Sequence, residues 1–283
     1  MRILGIHGIG NLRVNEDPVA VAGHMSALWG KHLTTGGTRD ADVRVAYYAD
    51  LLQDSGHQGE DGRLEELSGP EETILADMFA LLEPSAAQAG VAQGWLTYLL
   101  RSQLQDIVAS KACSPGLMEW FVVRFAKEVH HYLQPGPARM AVLERVRAAL
   151  TAHRPDVVIA HSLGSVVAYE ALHDCGALEV PLLITLGSPL ALPKAVFHRL
   201  TPSPERGRGR RPQALRRWVN LADPGDLVAL PVRGISAVFD GVDSDRHCSV
   251  HRTYRFHHVE EYLKTPEVAE LLAAPWAEGA RQA

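Results

Sequence analysis

The segment Val157-Val158-Ile159-Ala160-His161-Ser162-Leu163-Gly164 is the most informative part of this sequence about its fold. Its first four residues are apolar and mostly β-branched, which predicts a strand that is covered on both faces of a sheet. A sharp turn with Ser162 at its apex follows, and then a helix over residues 163–172. Such a turn needs small residues two positions before and two positions after the serine, because the backbones approach closely there. Ala160 and Gly164 meet that need.

Two roles fit Ser162. A serine directly before a helix is commonly a cap for the N–H groups of the first turn. The alternative is a nucleophile, because a helix N-terminus also stabilises an oxyanion. The run His7-Gly8-Ile9-Gly10 favours the nucleophile, since a glycine loop after the first strand allows a backbone N–H to face the same point. We therefore expect the N–H groups of Ile9 and Leu163 to form an oxyanion hole.

Strands and helices alternate along most of the chain. Helices are predicted after Pro18 and over residues 137–152 and 163–172. This order predicts an α/β fold with a mostly parallel central sheet, helices on both faces and functional residues at the carboxyl ends of strands. The predicted strands cover residues 3–6, 42–48, 156–160, 182–186 and 218–221.

The predicted topology does not require residues 51–135. The helix over 137–152 can by itself supply the crossover between the strands over 42–48 and 156–160. The segment contains three further helical patterns, over residues 71–82, 92–108 and 118–133. We therefore expect residues 1–50 and 136–283 to form the core and residues 51–135 to form an inserted helical cap.

The aromatic side chains of the cap allow two interpretations. Aromatic stripes at helical spacing usually pack a core. The functional alternative is a lid over an apolar acyl pocket. The candidate lining residues are Trp95, Tyr98, Trp120, Phe121 and Phe125.

With HGIG after the first strand, AHSLG after a central strand and a later Asp and His, the chain resembles the α/β-hydrolase family. The likeness is strongest to lipase-like and esterase-like serine hydrolases of the actinobacterial type, through VVIAHSLGSVVAYEAL, LITLGSPL, WVNLADPGDLVAL and HHVEEYL. It covers the chain from Arg2 to about Leu272, apart from the cap. It implies a nucleophile, an acid and a histidine in that chain order.

The resemblance places the acid at Asp226, directly before an apolar pair. Asp223 is the alternative, although an Asp before Pro-Gly often only stabilises its turn. The resemblance places the base at His257, with His258 as the alternative; His247 and His251 also lie in this C-terminal region. The base must bond Ser162 through one ring nitrogen and the acid through the other, and only one of two adjacent imidazoles can point that way.

Composition and charge argue against several other classes of function. The net charge of −5 provides no positive field for phosphates, so we expect no nucleic-acid partner. Three scattered cysteines predict reduced thiols, and neither a secretory signal nor a membrane-spanning stretch is evident. We therefore expect a soluble cytoplasmic protein without a stable membrane anchor. The biased segment 203–212 contains no apolar residue and predicts a solvated, mobile loop rather than a binding arm.

The spacing of histidines and glycines does not match the motifs of metal or nucleotide sites. The histidine pairs 130–131 and 257–258 lack the i, i+4 spacing of helical zinc ligands, and residues 5–10 lack the glycine spacing of a dinucleotide loop. We expect no metal and no other cofactor.

The leading hypothesis is hydrolysis of an acyl bond in a small molecule, above all a carboxylic ester, by Ser162, His257 and Asp226. Transacylation, thioester cleavage and peptide cleavage use the same three groups. The competing hypothesis is a non-catalytic protein that binds an apolar ligand or a partner through the cap.

Overall fold

A computed structural model describes residues 1–38, 40–52, 62–82, 114–229, 233–250 and 257–273. Its central feature is a six-stranded sheet in which every neighbouring pair of strands is parallel. The strands are β1 (Arg2–Ile6), β2 (Asp42–Ala46), β3 (Val157–His161), β4 (Val180–Leu186), β5 (Gly209–Arg210), β6 (Leu215–Ala222), β7 (Phe239–Asp240) and β8 (Ser244–His247). The sheet order is β2-β1-β3-β4-β6-β8, and β5 and β7 form a separate parallel pair.

Seven α-helices surround the sheet in the described part of the chain. The helices are α1 (Pro18–Thr35), α2 (Gly69–Leu82), α3 (Pro115–Leu133), α4 (Pro137–His153), α5 (Leu163–His173), α6 (Val259–Leu263) and α7 (Pro266–Ala273). Asp17 caps α1 by accepting the Ala20 N–H at 3.1 Å, and proline stands in the first turn of α1, α3 and α4. None of the helices among the described residues is long and apolar enough to cross a bilayer.

Strand β3 shows why both faces of the sheet are covered. Val158 and Ala160 belong to a hydrophobic cluster with buried side chains of α2, α3, α4 and α5. Val157 and Ile159 belong to a second cluster with α1, α6 and α7. Because successive strand residues point to opposite faces, a continuous apolar strand needs helices on both sides. The predicted α/β architecture, with a parallel sheet between two layers of helices, is confirmed.

Several predicted boundaries differ from the observed ones. Strand β2 ends at Ala46, and the Tyr47 and Tyr48 side chains beyond it are buried. Strand β8 was not predicted, because its sequence Ser-Asp-Arg-His is polar and, among the described residues, it pairs only with β6 at the edge of the sheet. The predicted helix over 92–108 lies outside the described residues.

The arginine-rich segment has a defined path, unlike the mobile loop expected from its composition. Gly209 and Arg210 form β5 beside β7, with the Gly209 backbone against the Phe239 ring. Arg208 binds the Asp240 carboxylate at 2.5 Å, and Arg211 binds Asp243 at 3.1 Å. Ion pairs and strand hydrogen bonds therefore replace the apolar contacts that the segment lacks.

Gly164 sets the distance between β1 and α5. A Cβ at this position would collide with the carbonyl oxygens of Ile6 and His7. The absence of a side chain therefore lets the first turn of α5 pack directly on the backbone that leaves β1.

We expect Gly164→Ala to lower the free energy of unfolding by about 1 to 3 kcal/mol, because backbone atoms must shift to admit the methyl group. Gly116→Ala, in the first turn of α3, is the matched control: a Cβ there meets nothing within 4 Å. The control is expected to be neutral or stabilising by up to about 1 kcal/mol. Urea midpoints and slopes measure both effects, and equal midpoints for the two variants would contradict the close approach.

Candidate active site

The candidate site lies at the carboxyl edge of the six-stranded sheet. Residues 7–10 follow β1, Ser162 follows β3, Asp226 lies in the loop after β6, and His257 comes after β8 along the chain. Strands β1 and β3 are neighbours in the sheet, and the chain continues from them in opposite directions, to β2 and to β4. In open α/β sheets, ligands bind in the crevice at such a reversal of strand order.

The Ser162 backbone is strained. Its φ of 54° and ψ of −130° are rarely adopted by a residue with a side chain. Three bonds hold the turn: the Ser162 N–H donates to the Leu186 carbonyl at 3.0 Å, and its carbonyl accepts the Ser165 N–H at 2.9 Å and the Ser165 hydroxyl at 2.6 Å. The Ser162 side chain makes no capping bond to α5. The structure thus lacks the capping bond that the first role of Ser162 would require.

A buried hydrogen bond joins Asp226 and His257. His257 Nδ1 lies 2.7 Å from Asp226 Oδ2, with side-chain exposures of 3% and 0%. The other carboxylate oxygen, Oδ1, accepts the Val228 N–H at 2.9 Å. The carboxylate accepts a hydrogen and cannot donate one, so Nδ1 carries the ring proton and Nε2 of a neutral His257 is the basic nitrogen.

The two alternative residues have other partners. Asp223 accepts the backbone N–H groups of Gly225 and Val250, each at 2.6 Å. The His258 side chain is 54% exposed and lies 3.5 Å from Glu260, and this contact lowers the pKa of the Glu260 carboxyl to about 2. Asp226 therefore pairs with His257, whereas Asp223 binds backbone N–H groups of the neighbouring loops.

The turn of Ser162 lies close to this hydrogen-bonded Asp226–His257 pair. Gly187 follows the Leu186 carbonyl that binds Ser162, and it has a positive φ of 53°. A Cβ at Gly187 would lie 2.7 Å from Asp226 Oδ2 and 3.1 Å from His257 Cε1. Among the described residues, however, Ser162 Oγ and His257 Nε2 are both buried without a hydrogen-bond partner. The Ser162–His257 bond of the predicted triad is therefore not formed in this structure.

The loop after β1 packs on the serine turn. A Cβ at Gly8 would lie 2.5 Å from the Ser162 Cβ. The Gly8 carbonyl accepts His7 Nδ1–H at 2.8 Å and Asn11 Nδ2–H at 3.0 Å. A trans peptide directs its C=O and N–H in opposite directions. These two side chains therefore also fix the direction of the Ile9 N–H, which belongs to the same peptide.

His7 is held as a neutral ring. Its Nε2 accepts the Tyr48 N–H at 3.1 Å, and the Tyr48 hydroxyl donates to the His7 carbonyl at 2.6 Å. Burial lowers the pKa of His7 to about 4, against a smaller raising effect of the Gly8 carbonyl. A neutral imidazole has one donor and one acceptor, which matches its two ring partners here.

Helix α3 reaches the site from the 51–135 segment. Glu128 Oε1 accepts the Gly10 N–H at 2.9 Å and Arg124 Nε–H at 2.8 Å. Burial raises the pKa of Glu128, against the opposing charge of Arg124. The Phe121 ring meets the His257 ring edge-on, with centroids 5.3 Å apart.

The other predicted lining residues differ in position. Trp120 is 38% exposed and lies near Gly10, whereas Phe125 is fully buried in the hydrophobic cluster. Trp95 and Tyr98 lie outside the described residues.

Two side chains in contact with the Asp226–His257 pair were not predicted. His161 is buried with its ring centroid 4.6 Å from that of His257, and burial together with nearby histidines holds its pKa well below the usual range. The Tyr262 hydroxyl donates to Asp226 Oδ2 at 2.7 Å. The sequence signals that could have indicated them are adjacency to Ser162 for His161 and a place five residues after His257 for Tyr262.

Among the described residues, no group of three or more His, Cys, Asp or Glu side chains is arranged to hold a metal ion. Comparisons of the chain with protein-family models, with curated proteins and with solved structures find no match in any of the three.

Proposed function

We propose that this protein is a serine hydrolase of the α/β-hydrolase type that cleaves an acyl bond, with small-molecule carboxylic esters as its substrates. The observation that carries the proposal is the buried Asp226–His257 pair beside the strained turn of Ser162. The chain order also supports it, because the oxyanion loop, nucleophile, acid and histidine follow β1, β3, β6 and β8 in the sequence that α/β-hydrolases use.

In the proposed reaction, Ser162 Oγ attacks the acyl carbon and His257 Nε2 accepts the hydroxyl proton. Asp226 holds the Nδ1–H and stabilises the imidazolium that forms. The proton then passes to the leaving alcohol, and water hydrolyses the acyl-enzyme by the same steps in reverse. Formation of the Ser162–His257 bond accompanies substrate binding, since catalytic hydrogen bonds often tighten only in the substrate complex.

The proposed oxyanion hole consists of the Ile9 and Leu163 N–H groups. Leu163 begins α5, so its N–H lies at the positive end of the helix dipole. The Ile9 N–H is fixed through the Gly8 carbonyl, as described above. A donor that is fixed before the reaction needs no reorganisation when charge develops on the substrate oxygen.

Thioesters, amides and acyl transfer to another nucleophile would use the same groups, so a series of acyl donors is needed to rank them. A non-catalytic ligand-binding protein is the alternative from another class, and it would not react covalently at Ser162.

We expect a fluorophosphonate probe to label Ser162, as mapped by mass spectrometry. Ser162→Ala is expected to abolish labelling and to lower kcat for p-nitrophenyl esters on the order of a million-fold, as for other triad nucleophiles. Its thermal midpoint is expected to stay close to that of the wild type, because the Ser162 hydroxyl makes no hydrogen bond that the alanine would lose. Heat-denatured protein is the labelling control, and full turnover by Ser162→Ala would exclude the proposed nucleophile.

A second prediction separates the acid and base from their neighbours. We expect Asp226→Asn to lower kcat by about 10⁴-fold, because the amide favours the wrong tautomer of His257. His257→Ala is expected to be more damaging still. Asp223→Asn is expected to retain kcat within about tenfold but to lower the free energy of unfolding by about 1 to 3 kcal/mol, because an amide NH₂ would face a backbone N–H.

His258→Ala is the control for His257→Ala, because His258 is exposed and contacts Glu260 instead. Steady-state kinetics and urea unfolding on all four variants make the measurement. A folded, inactive Asp223→Asn beside an active Asp226→Asn would show that the acid is assigned to the wrong residue.

We also propose that the 51–135 segment acts as a lid that selects the acyl group. The contacts of α3 with the site support this: Phe121 meets His257, and Trp120 lies beside Gly10 of the proposed oxyanion loop. Such a lid shapes the pocket and excludes water without taking part in bond cleavage.

We expect Trp120→Ala to change the ratio of kcat/KM values between short and long acyl esters by about tenfold. Contact with one or two methylene groups of a substrate in an apolar pocket typically changes kcat/KM by that factor. Leu117→Ala is the matched control, because Leu117 is 42% exposed on the same helix one turn earlier. Probe labelling of Ser162 is expected to persist in both variants. An equal loss for every chain length in Trp120→Ala would mean that this side chain only packs the fold.

A further inference from the structure

One carboxylate oxygen at the site receives two hydrogens. Asp226 Oδ2 lies 2.7 Å from His257 Nδ1 and 2.7 Å from the Tyr262 hydroxyl. The catalytic step proposed above uses only the first of these bonds. Tyr262 is therefore a buried polar group that touches the acid and has no assigned role.

The Tyr262 hydroxyl has a fixed direction. Its oxygen accepts the Asp223 N–H at 3.1 Å, so its own hydrogen is directed to Asp226. Burial and the Asp226 charge raise the pKa of Tyr262 well above 10, so the hydroxyl stays protonated through the neutral range. Asp226 thus shares its negative charge between a permanent neutral donor and the imidazole.

We propose that Tyr262 is a positioning residue that lowers the proton affinity of His257 by withdrawing charge from Asp226. The inference rests on the proposed function and deepens it, because it names the group that sets the pH range of the same site. A hydrogen bond to the charged form of a carboxylate stabilises that charge and weakens its pull on a neighbouring proton. Loss of the Tyr262 hydroxyl would therefore strengthen the hold of Asp226 on protonated His257.

The other groups around the pair leave Asp226 as the dominant partner. His161 faces His257 from the end of β3 as a neutral ring, and the uncharged Phe121 faces it from α3. His258 is the next residue in the chain and turns toward Glu260.

Two further groups lie near the acid. Asp223 is bound to backbone N–H groups, and burial raises the pKa of the Cys248 thiol to about 12, so that it stays neutral. The acidic group in direct contact with His257 is therefore Asp226.

The test is Tyr262→Phe, which removes the hydroxyl and keeps the ring. We expect the acid limb of the kcat/KM profile and the NMR titration of the His257 ring to move upward together, by about half a pH unit or more. We also expect kcat to fall by a smaller factor than in Asp226→Asn. A purely structural role would lower activity without moving either titration.

Tyr132→Phe is the matched control. The Tyr132 hydroxyl is also buried and donates to a carboxylate, that of Glu170, at 2.6 Å. Its loss removes the same kind of bond from another part of the core. We expect this variant to be less stable and to leave the acid limb and the His257 titration unchanged.

A further variant covers the case in which Tyr262→Phe does not fold. Fluorotyrosine at position 262 keeps the hydroxyl and makes it a stronger donor, so the His257 titration is expected to move downward. An unchanged His257 titration in a folded Tyr262→Phe, or in the fluorotyrosine protein, would overturn the inference. The NMR measurement needs no turnover, so it decides the role of Tyr262 even if the wild type hydrolyses no ester and the proposed function fails.

Discussion

The close contact between Gly164 and the backbone leaving β1 is the constraint on which the site depends. It brings the first turn of α5 against the carbonyls of Ile6 and His7, and so places the Gly8 loop on Ser162. A side chain at Gly164 would separate these two backbones, and with them the proposed nucleophile Ser162 and the proposed oxyanion donor. The strained Ser162 backbone follows from the same packing, because the chain must leave β3 and enter α5 within a single residue.

The polar groups of the site supply hydrogen bonds to the buried Asp226 carboxylate. Asp226 accepts three hydrogens, from Val228, His257 and Tyr262. Burial removes the charge from the two neighbouring histidines, His7 and His161, whose pKa values are lowered. A buried carboxylate is costly unless it is paired and hydrogen-bonded. The site meets this condition while leaving Nε2 of His257 as a basic nitrogen beside the serine turn.

The sequence predicts those parts of the site that depend on local structure. The strand, turn and helix around Ser162 lie within eight residues, and their pattern is visible without tertiary contacts. Local structure does not decide whether Asp223 or Asp226 is the proposed acid, because both follow β6. Their partners far along the chain, Val250 for Asp223 and His257 for Asp226, distinguish the two. The bond between Gly10 and Glu128 joins residues 118 positions apart, and no periodicity indicates it. The sequence also does not predict the polar strand β8, because a strand at the edge of a sheet needs no continuous run of apolar residues.

The Gly10–Glu128 bond bears on how a lid over this site would work. Because the Gly10 N–H is bound to Glu128, it is not available to an oxyanion, in agreement with the proposal of the Ile9 N–H as the loop donor. The same bond ties α3 to the loop, and burial of Glu128 beside Arg124 makes an unpaired carboxylate there costly. Movement of α3 as a rigid body would break this bond and release the loop. Substrate selection by the proposed lid is therefore most consistent with side chains carried on a fixed α3.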